Sequence, residues 1–557
     1  MEFGNLEKQQ LVDRLHVNSR CTYLSGRSIG LRPNSNLDSS VPQIGHFNPP
    51  LATGVLGFPR NPDVILRMEM ERSISLLQMI ADEGLVPSQE EEIKRRNAID
   101  KLKKVVREWV QTVAAQHALP KKYLRFASGT ILTYGSYGLG VHNSESDIDA
   151  LCVGPVFATI EEDFFIVLHN MLVSRPEVTD IHCVKGAKVP LMRFKFDGIS
   201  IDLPYARLKV ISIPEDVDVF NPFFLKNMDD TSWKSLSGVR ANRRILQLVP
   251  NVEIFQAILR CVKLWAKKRG VYGNLLGFFG GIHLAVLSAF ICQRHPTASL
   301  SALIFIFFKT FAFWPWPTPV VLQDGVAWPS IPTDKVLWMP IQLPCSPYEF
   351  CHSNVVRSTF LKIKIEFMRG HMLTKDLLRL DFDWNILFEP FPYPRKYGKF
   401  VKIFLSASDK DELGDWVGCV KSRFRCLIIK LELLGFCDPN PTEYVDVDAS
   451  EPNAVFYWGL SPGTANMIDI GHMEKEFVKS MNNVYQGSTG KMKLSIVQAD
   501  QLPQKAHFDG YRQSAKPCWK IVRSNRRIPP AYYKYQPMCV DGYLTTNPSS
   551  QYPSGGG

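Results

Sequence analysis

The sequence predicts an α+β multidomain protein, and three observations carry that expectation. Two long helical periodicities open the patterned part of the chain, a strand-rich stretch with an Asp-Gly turn follows, and a second alternation of strand and helix begins near residue 398, beyond a helical, aromatic-rich middle. At 557 residues, length gives a soft prior of about three to four domains. With 45% hydrophobic and 21% charged residues, the chain can bury large cores and reads as soluble and globular. A formal charge of +11 favours polyanionic partners, whether RNA, DNA or an acidic membrane surface, without choosing among them. The twelve cysteines are scattered, with no CxxC and no Cys/His cluster at metal spacing. They read as reduced thiols of a cytosolic or nuclear protein and argue against structural zinc. The opening "MEFGNLEKQQLVDRL" is charged from the start and carries acids, so neither a secretory signal nor a transit peptide is expected.

Residues 1–55, rich in Asn, Ser, Pro and Gly, are expected to be disordered after a short helix at 5–17. From Asp63, "DVILRMEMERSISLLQMIADEGL" and then "SQEEEIKRRNAIDKLKKVVREWVQTVAAQHAL" space apolar residues by three and four, and Ser88 with Glu91 forms a capping box. "YLRFASGTILTYGS" reads as a strand feeding a turn, "DIDALCVG" as a second strand and "TIEEDFFIVLHNMLV" as an amphipathic helix. "KVPLMRFKFDGISIDLPYARL" reads as a hairpin turning at Asp197-Gly198. Past 211 the chain turns helical. Leu275–Cys292 is 18 residues without Asp, Glu, Lys or Arg, which touches the threshold for a membrane span; His283, Gly280 and Gly281 make a buried core helix the better reading. A Pro-rich linkage is expected over 315–347, a helix at "STFLKIKIEFMRGHMLTKDLL" and a break near "FEPFPYPRKYG". The last unit reads as strand "KFVKIFLSAS", helix "DKDELGDWVGCVKSRFRCLIIKLELL" and strands "AVFYWGLS" and "GKMKLSIVQ", before a flexible tail.

The chemistry concentrates in "YGSYGLGVHNSESDIDALCVG". Asp147 and Asp149 stand two apart on a predicted strand, so their carboxylates share a face. Neighbouring carboxylates repel unless a cation lies between them, and hard oxygen ligands suit Mg²⁺ or Mn²⁺. Gly135-Ser136 predicts a tight turn whose N–H groups can cradle phosphates. With the hairpin turning at Asp197-Gly198, paired residue numbers sum to 395, which sets Asp202 opposite Arg193 and Ser200 opposite Lys195, while Ile199, Ile201 and Leu203 face the core. A DxD alone is more often a solvated pair. Followed by a third acid on a hairpin, it fits a two-metal site that clamps both oxygens of an in-line displacement at phosphorus.

Beyond this constellation, "GSYGLGVHNSESDIDALCVGP", "DGISIDLPYARL", "LVPNVEIFQAILRCVKLWAKKRGVYGNLLGFFGGI" and "WPWPTPV" resemble eukaryotic nuclear-type poly(A) polymerases, particularly plant ones, within the DNA polymerase beta-like nucleotidyltransferases. The resemblance covers roughly 55–510. It implies a nucleotidyltransferase catalytic domain at 94–210, a helical middle domain at 211–390 joined by the segment 56–93, an RRM-like RNA-binding domain at 391–530 and a tail at 531–557. It implies that Asp147, Asp149 and Asp202 hold two Mg²⁺ or Mn²⁺ ions, and that Tyr134, Gly135, Ser136, Asn143, Lys263, Lys267, Tyr272, Asn274, Gly281 and Ile282 bind ATP with them. Lys188 and Arg193 become RNA contacts, and Ser358 and Thr359 approach the nucleotide. Without the resemblance, Lys263 and Lys267 would read as a solvated helix face and Tyr272 as a core edge.

The implied activity is template-independent transfer of AMP from ATP to RNA 3′ ends in mRNA polyadenylation. The alternatives are an RNA uridylyltransferase or a catalytically weak RNA-binding paralogue. The implied partners are the RNA 3′ end, ATP and mRNA cleavage and polyadenylation factors, with no membrane and a monomeric chain. The implied compartment is the nucleus, with the cytoplasm left open by the lack of a basic extension after the RNA-binding domain. The sequence departs from the pattern at Gly138, where Arg is usual, at Lys188 for an aromatic, at Arg193 for Lys, at "GGIHLAVL" and at "AWPSIP", where Trp328 of Trp-Asp-Pro-Arg is kept and the acid and Arg are gone.

Overall fold

Two sheets, each backed by helices, organise the chain. The computed structural model describes residues 61–322, 337–345, 350–351, 354–463, 469–482 and 490–503, all within one compact unit. The expectations for 1–55, Trp328 and the tail lie outside the described residues.

Helix α1 (Pro62–Asp82) starts on an Asn61 cap with Pro62 in its first turn, where the missing N–H costs nothing. Helix α2 (Gln89–Gln116) begins with the expected capping box of Ser88 and Glu91. Its buried stripe of Ile99, Leu102, Val106, Trp109 and Val113 packs under the first sheet. That sheet has strand order β1-β2-β5-β4-β3, from Thr130–Tyr134, Ile148–Gly154, Ile199–Arg207, Leu191–Phe196 and Val178–Val184. Only β2 and β5 run parallel. The hairpin turns at Asp197 (φ 49°) and Gly198 (φ 78°), two left-handed residues as the Asp-Gly pair requires. Its register sets Arg193 against Asp202 and Lys195 against Ser200.

Three expectations are corrected. The predicted amphipathic helix is a π-type helix, Ile160–Leu168, before it tightens into His169–Val173. The Asp163 carboxylate bonds the N–H and hydroxyl of Thr159, and its carbonyl accepts from Trp109 Nε1 at 2.8 Å; these side-chain bonds hold the first turn wide. Gly135-Ser136 opens a single helical turn, Gly135–Gly138, rather than a bare turn. The described parts of the Pro-rich stretch are not a free linkage, because Val320, Met339 and Ile341 are fully buried against the core.

Five helices build the middle: α3 (Asp230–Leu248), α4 (Val252–Lys268), α5 (Gly281–Arg294), α6 (Leu300–Ala312) and α7 (Arg357–Thr374). The 18-residue apolar run divides into a short 3₁₀ turn at Asn274–Leu276 and the buried α5. Among the described residues no single helix is long and apolar enough to cross a membrane. Helix α1 joins these helices: Ser299 donates to Glu69, and Trp384 donates to Arg72 O.

The last unit runs β6 (Lys399–Ser406), α8 (Lys410–Glu432), β7 (Cys437–Pro439), β8 (Asn453–Leu460), α9 (Ile470–Asn482) and β9 (Lys491–Gln498), with sheet order β7-β8-β6-β9. The sequence reading contains neither β7 nor α9. Trp458 and Phe456 pack on Phe424 of α8. On the other face, Phe400 and Tyr457 are covered by Tyr393, Tyr397, Tyr444 and Leu502.

Candidate active site

The acidic trio assembles where β2 and β5 begin to run together. Asp149 pairs with Asp202 across the parallel ladder, and Asp147 sits one residue before β2 rather than within it. Even so, one carboxylate oxygen from each of Asp147, Asp149 and Asp202 lies within 4.8 Å of the others. Burial, then Asp147 and Asp202, push the Asp149 carboxyl up to about 7, while Lys263 pulls it down. Three hard-oxygen donors at this spacing, of like charge and partly buried, are a donor set that a divalent cation fits.

Beside the trio stands the glycine turn. Gly135 has φ +62°, and a Cβ there would come within 1.7 Å of Asp149 Oδ2. Gly is thus required twice, by conformation and by the carboxylate against its backbone. Tyr134 pairs with Asp149 across β1–β2 and lies over Gly238 of α3, where a Cβ would meet its ring at 2.8 Å. Burial, and then the charges of Asp149, Asp202 and Asp147, keep its phenol protonated. Asn242 Nδ2 of α3 donates to Gly135 O at 2.9 Å and ties the turn to the middle helices. Gly138 sits close under Thr133, where a Cβ would lie 2.9 Å from its carbonyl.

Across from the sheet, α4 presents Lys263. Burial pulls its ammonium down to about 8, as do Lys267 and Arg260, while Asp147 and Asp149 pull it up. Lys267 is exposed, with Nζ 5.6 Å from the Tyr272 ring centroid. Burial raises the Tyr272 phenol, and so do Asp147 and Asp149, which places the ring within reach of the trio's field. Gly281 lies against Tyr272, its missing Cβ 3.6 Å from the phenol oxygen, at the start of α5 beside Ile282. Asn274 is exposed, with its carbonyl 3.2 Å from Asn354 Nδ2.

Other sequence-predicted residues stand differently. The Asn143 side chain accepts from Ser146 Oγ at 2.6 Å and so shapes its own loop. Ser358 and Thr359 are buried in structural bonds. The Ser358 N–H donates to Glu432, and Thr359 Oγ1 accepts from Val356 N at 3.0 Å, at the start of α7. Lys188 is exposed in the turn before β4. Arg193 grips Asp202 with Nε at 2.7 Å and a terminal nitrogen at 2.8 Å.

The sequence reading missed the supports of this site. Arg95 on the buried stripe of α2 donates one terminal nitrogen to the carbonyls of Asn143, Ser144 and Ser146, the loop that delivers Asp147. An arginine at a buried stripe position was the available signal. Gln256 and Arg260 of α4 hold the carbonyls of Leu139 and Gly140. No pattern marks these two, because their partners are backbone atoms 117 and 120 residues away.

Comparison with known proteins identifies the family. Residues 67–249 match the poly(A) polymerase nucleotidyltransferase domain and residues 254–390 the poly(A) polymerase central domain. Nuclear poly(A) polymerase 3 of Arabidopsis thaliana is 55% identical over 87% of this chain and 95% of the relative. Nuclear poly(A) polymerase 1 of the same plant is 38% identical over 85% of this chain and 68% of the relative. Among solved structures, Cid1 poly(U) polymerase aligns over 57% of this chain and 99% of its own at a TM-score of 0.41 and 13% identity, a distance at which the likeness has no bearing on nucleotide choice. On its two matched domains and its 55% identity to a relative spanned almost end to end, the chain belongs to the poly(A) polymerase family.

Proposed function

We propose that the trio of Asp147, Asp149 and Asp202 performs template-independent transfer of AMP from ATP to the 3′ end of RNA, in mRNA polyadenylation. The observation that carries this reading is the convergence of three carboxylate oxygens within 4.8 Å beside a glycine turn, in a member of this family. The trio would hold two Mg²⁺ or Mn²⁺ ions, which supply activation of the 3′-OH and charge neutralisation of the departing pyrophosphate.

The chain's own residues do the positioning. Gly135 and Ser136 offer backbone N–H groups to the triphosphate, with Tyr134 and Asn143 shaping the turn and loop on either side. Lys263 and Lys267 neutralise phosphate charge, and Lys263, drawn down to about 8 by burial, recovers full charge as an anion approaches. Tyr272 offers its ring to the base, flanked by Asn274, Gly281 and Ile282. Arg193 and Lys188 face the RNA.

We read three functional units: catalytic at 94–210, middle at 211–390 with 56–93, and C-terminal at 391–530. The βαββαβ order of the last supports an RRM-like domain. Its contact with RNA would avoid the outer sheet face, where Phe400 and Tyr457 are 1% and 6% exposed. The nuclear names of the relatives support a nuclear compartment. Cleavage and polyadenylation factors are the partners that the polyadenylation reading implies.

The test is primer extension with a 5′-labelled oligo(A) primer, Mg²⁺ or Mn²⁺, and each of the four NTPs alone. A ladder with ATP that is lost in Asp202→Ala is expected. A ladder with UTP in place of ATP would transfer the reading to an RNA uridylyltransferase. RNA binding without any ladder would reduce the chain to an RNA-binding paralogue.

A further inference from the structure

We propose that Arg193 is a resident counter-ion of Asp202 that gives up the carboxylate when a phosphate of the RNA backbone takes its guanidinium, so that primer arrival and metal loading are coupled. This rests on the reading of Asp147, Asp149 and Asp202 as metal ligands. Three features of the hairpin carry it.

The first is saturation. Arg193 Nε meets Asp202 Oδ1 at 2.7 Å and its terminal nitrogen meets Oδ2 at 2.8 Å, so both oxygens of one carboxylate lie in a single guanidinium fork. A divalent cation on Asp202 would take one of those oxygens and would stand against a fixed positive charge. Guanidinium and metal therefore compete for one ligand. Among the described residues, Asp202 alone of the trio carries an ion pair.

The second is that the pairing is built into the backbone. Asp197 and Gly198 set a two-residue turn, and the ladder then holds Arg193 directly across from Asp202. The two side chains need no rearrangement of the strand to meet. Lys195, two residues on, is engaged elsewhere, 2.7 Å from Asp180.

The third is asymmetry of exposure. The Arg193 side chain is 59% exposed and that of Asp202 is 16% exposed. Arg193 can swing into solvent at little burial cost, whereas Asp202 stays at the trio. A guanidinium that leaves a carboxylate is best received by a second planar or tetrahedral oxyanion, and phosphate satisfies the same fork. Exposed Lys188 adds positive charge in the turn before the strand that carries Arg193. A lysine at 193 would make a single-point contact and compete more weakly.

The experiment is Mn²⁺ titration of the full chain, followed by loss of the free-ion electron paramagnetic resonance signal. It is run with and without an oligo(A) RNA ending in 3′-deoxyadenosine, which binds but is not extended. Wild type is expected to bind Mn²⁺ about three- to fivefold more tightly with RNA, the size of effect that release of one exposed ion pair allows. Arg193→Ala is expected to start at the tighter affinity and to respond to RNA by less than about twofold. Arg193→Lys should fall between, and Asp202→Asn should abolish the difference between wild type and Arg193→Ala. Equal Mn²⁺ affinity in wild type and Arg193→Ala without RNA would overturn the proposal while leaving the metal site standing. If neither binds Mn²⁺ better than an Asp147→Asn, Asp149→Asn double variant, the metal reading itself fails and the proposal with it.

Discussion

At the scale of single residues, Gly135 and Asp149 define each other. The carboxylate lies where a side chain at 135 would stand, 1.7 Å from an added Cβ, and the backbone there is left-handed. Gly135→Ala is therefore expected to shift Asp149 by an ångström or so and to lower kcat by about 100-fold, with an unchanged circular dichroism spectrum. A variant with near wild-type kcat would show that the turn tolerates the shift. Asp149 also carries a stability consequence. Its folded value of about 7 stands above the ordinary 3.8, so between those values the folded state holds a proton that the unfolded state has lost. Without metal, stability should thus fall as pH rises from about 4 to about 7. Asp149→Asn should melt higher than wild type at pH 7.5 without metal, and adding Mn²⁺ should reverse that order. The trio was legible because three acids on predicted strands have fixed spacing and register. For Arg95 the one signal was an arginine on a buried stripe; its role stayed hidden because its partners are three carbonyls some fifty residues away in sequence.

At the scale of elements, the periodic helices and the Asp-Gly hairpin were readable because each is decided locally, by caps, apolar spacing and turn chemistry. The widened turn at Ile160–Leu168 was not, because Trp109 reaches it from a different helix. The start of α5 shows how a departure from the family pattern is accommodated. His283 stands at the third position of the helix, where Nδ1 accepts the Gly280 N–H at 2.8 Å and Nε2 donates to Cys351 O at 2.7 Å. It closes the glycine turn that abuts Tyr272 and Asn274. Burial pulls its imidazole down to about 4, and burial with Arg95, Arg260 and Lys263 does the same to His142. The unfolded chain takes up these protons near 6.5 and the folded one near 4, so stability is lost as pH falls between those values, by about 1–3 kcal/mol for each group. His283→Asn keeps an acceptor for the cap without the titration. It is expected to shrink the drop in melting temperature between pH 7 and pH 5, and an undiminished drop would assign the acid sensitivity elsewhere.

At the scale of the whole molecule, buried charge joins the middle helices to the last sheet. Lys362 of α7 bonds Asp438 of β7 at 2.7 Å and Tyr397 donates to the same carboxylate, while Arg269, just past the end of α4, grips Glu366 of α7 with two nitrogens and ties the middle helices to each other. The sequence could not announce these pairs, because each joins residues tens of positions apart whose polar character looked like ordinary surface. The same packing decides how the last unit can meet RNA. A four-stranded sheet that stacks bases needs rings open on its outer face. Here Tyr457 packs edge-on against Tyr444, 5.5 Å between centroids, within a layer that includes Tyr393, Tyr397, Phe400 and Leu502. A ring so placed works for the fold. Tyr457→Ala is accordingly expected to cost about 3–5 kcal/mol, the range for deleting a buried aromatic. Its affinity for oligo(A) RNA, measured well below the melting transition, should stay within about twofold of wild type, since affinity depends on the net contact free energy that this ring does not supply. If RNA affinity fell by more than tenfold at an unchanged melting temperature, the covering layer would have to open on binding, and the outer face of the sheet would regain a place in the RNA path.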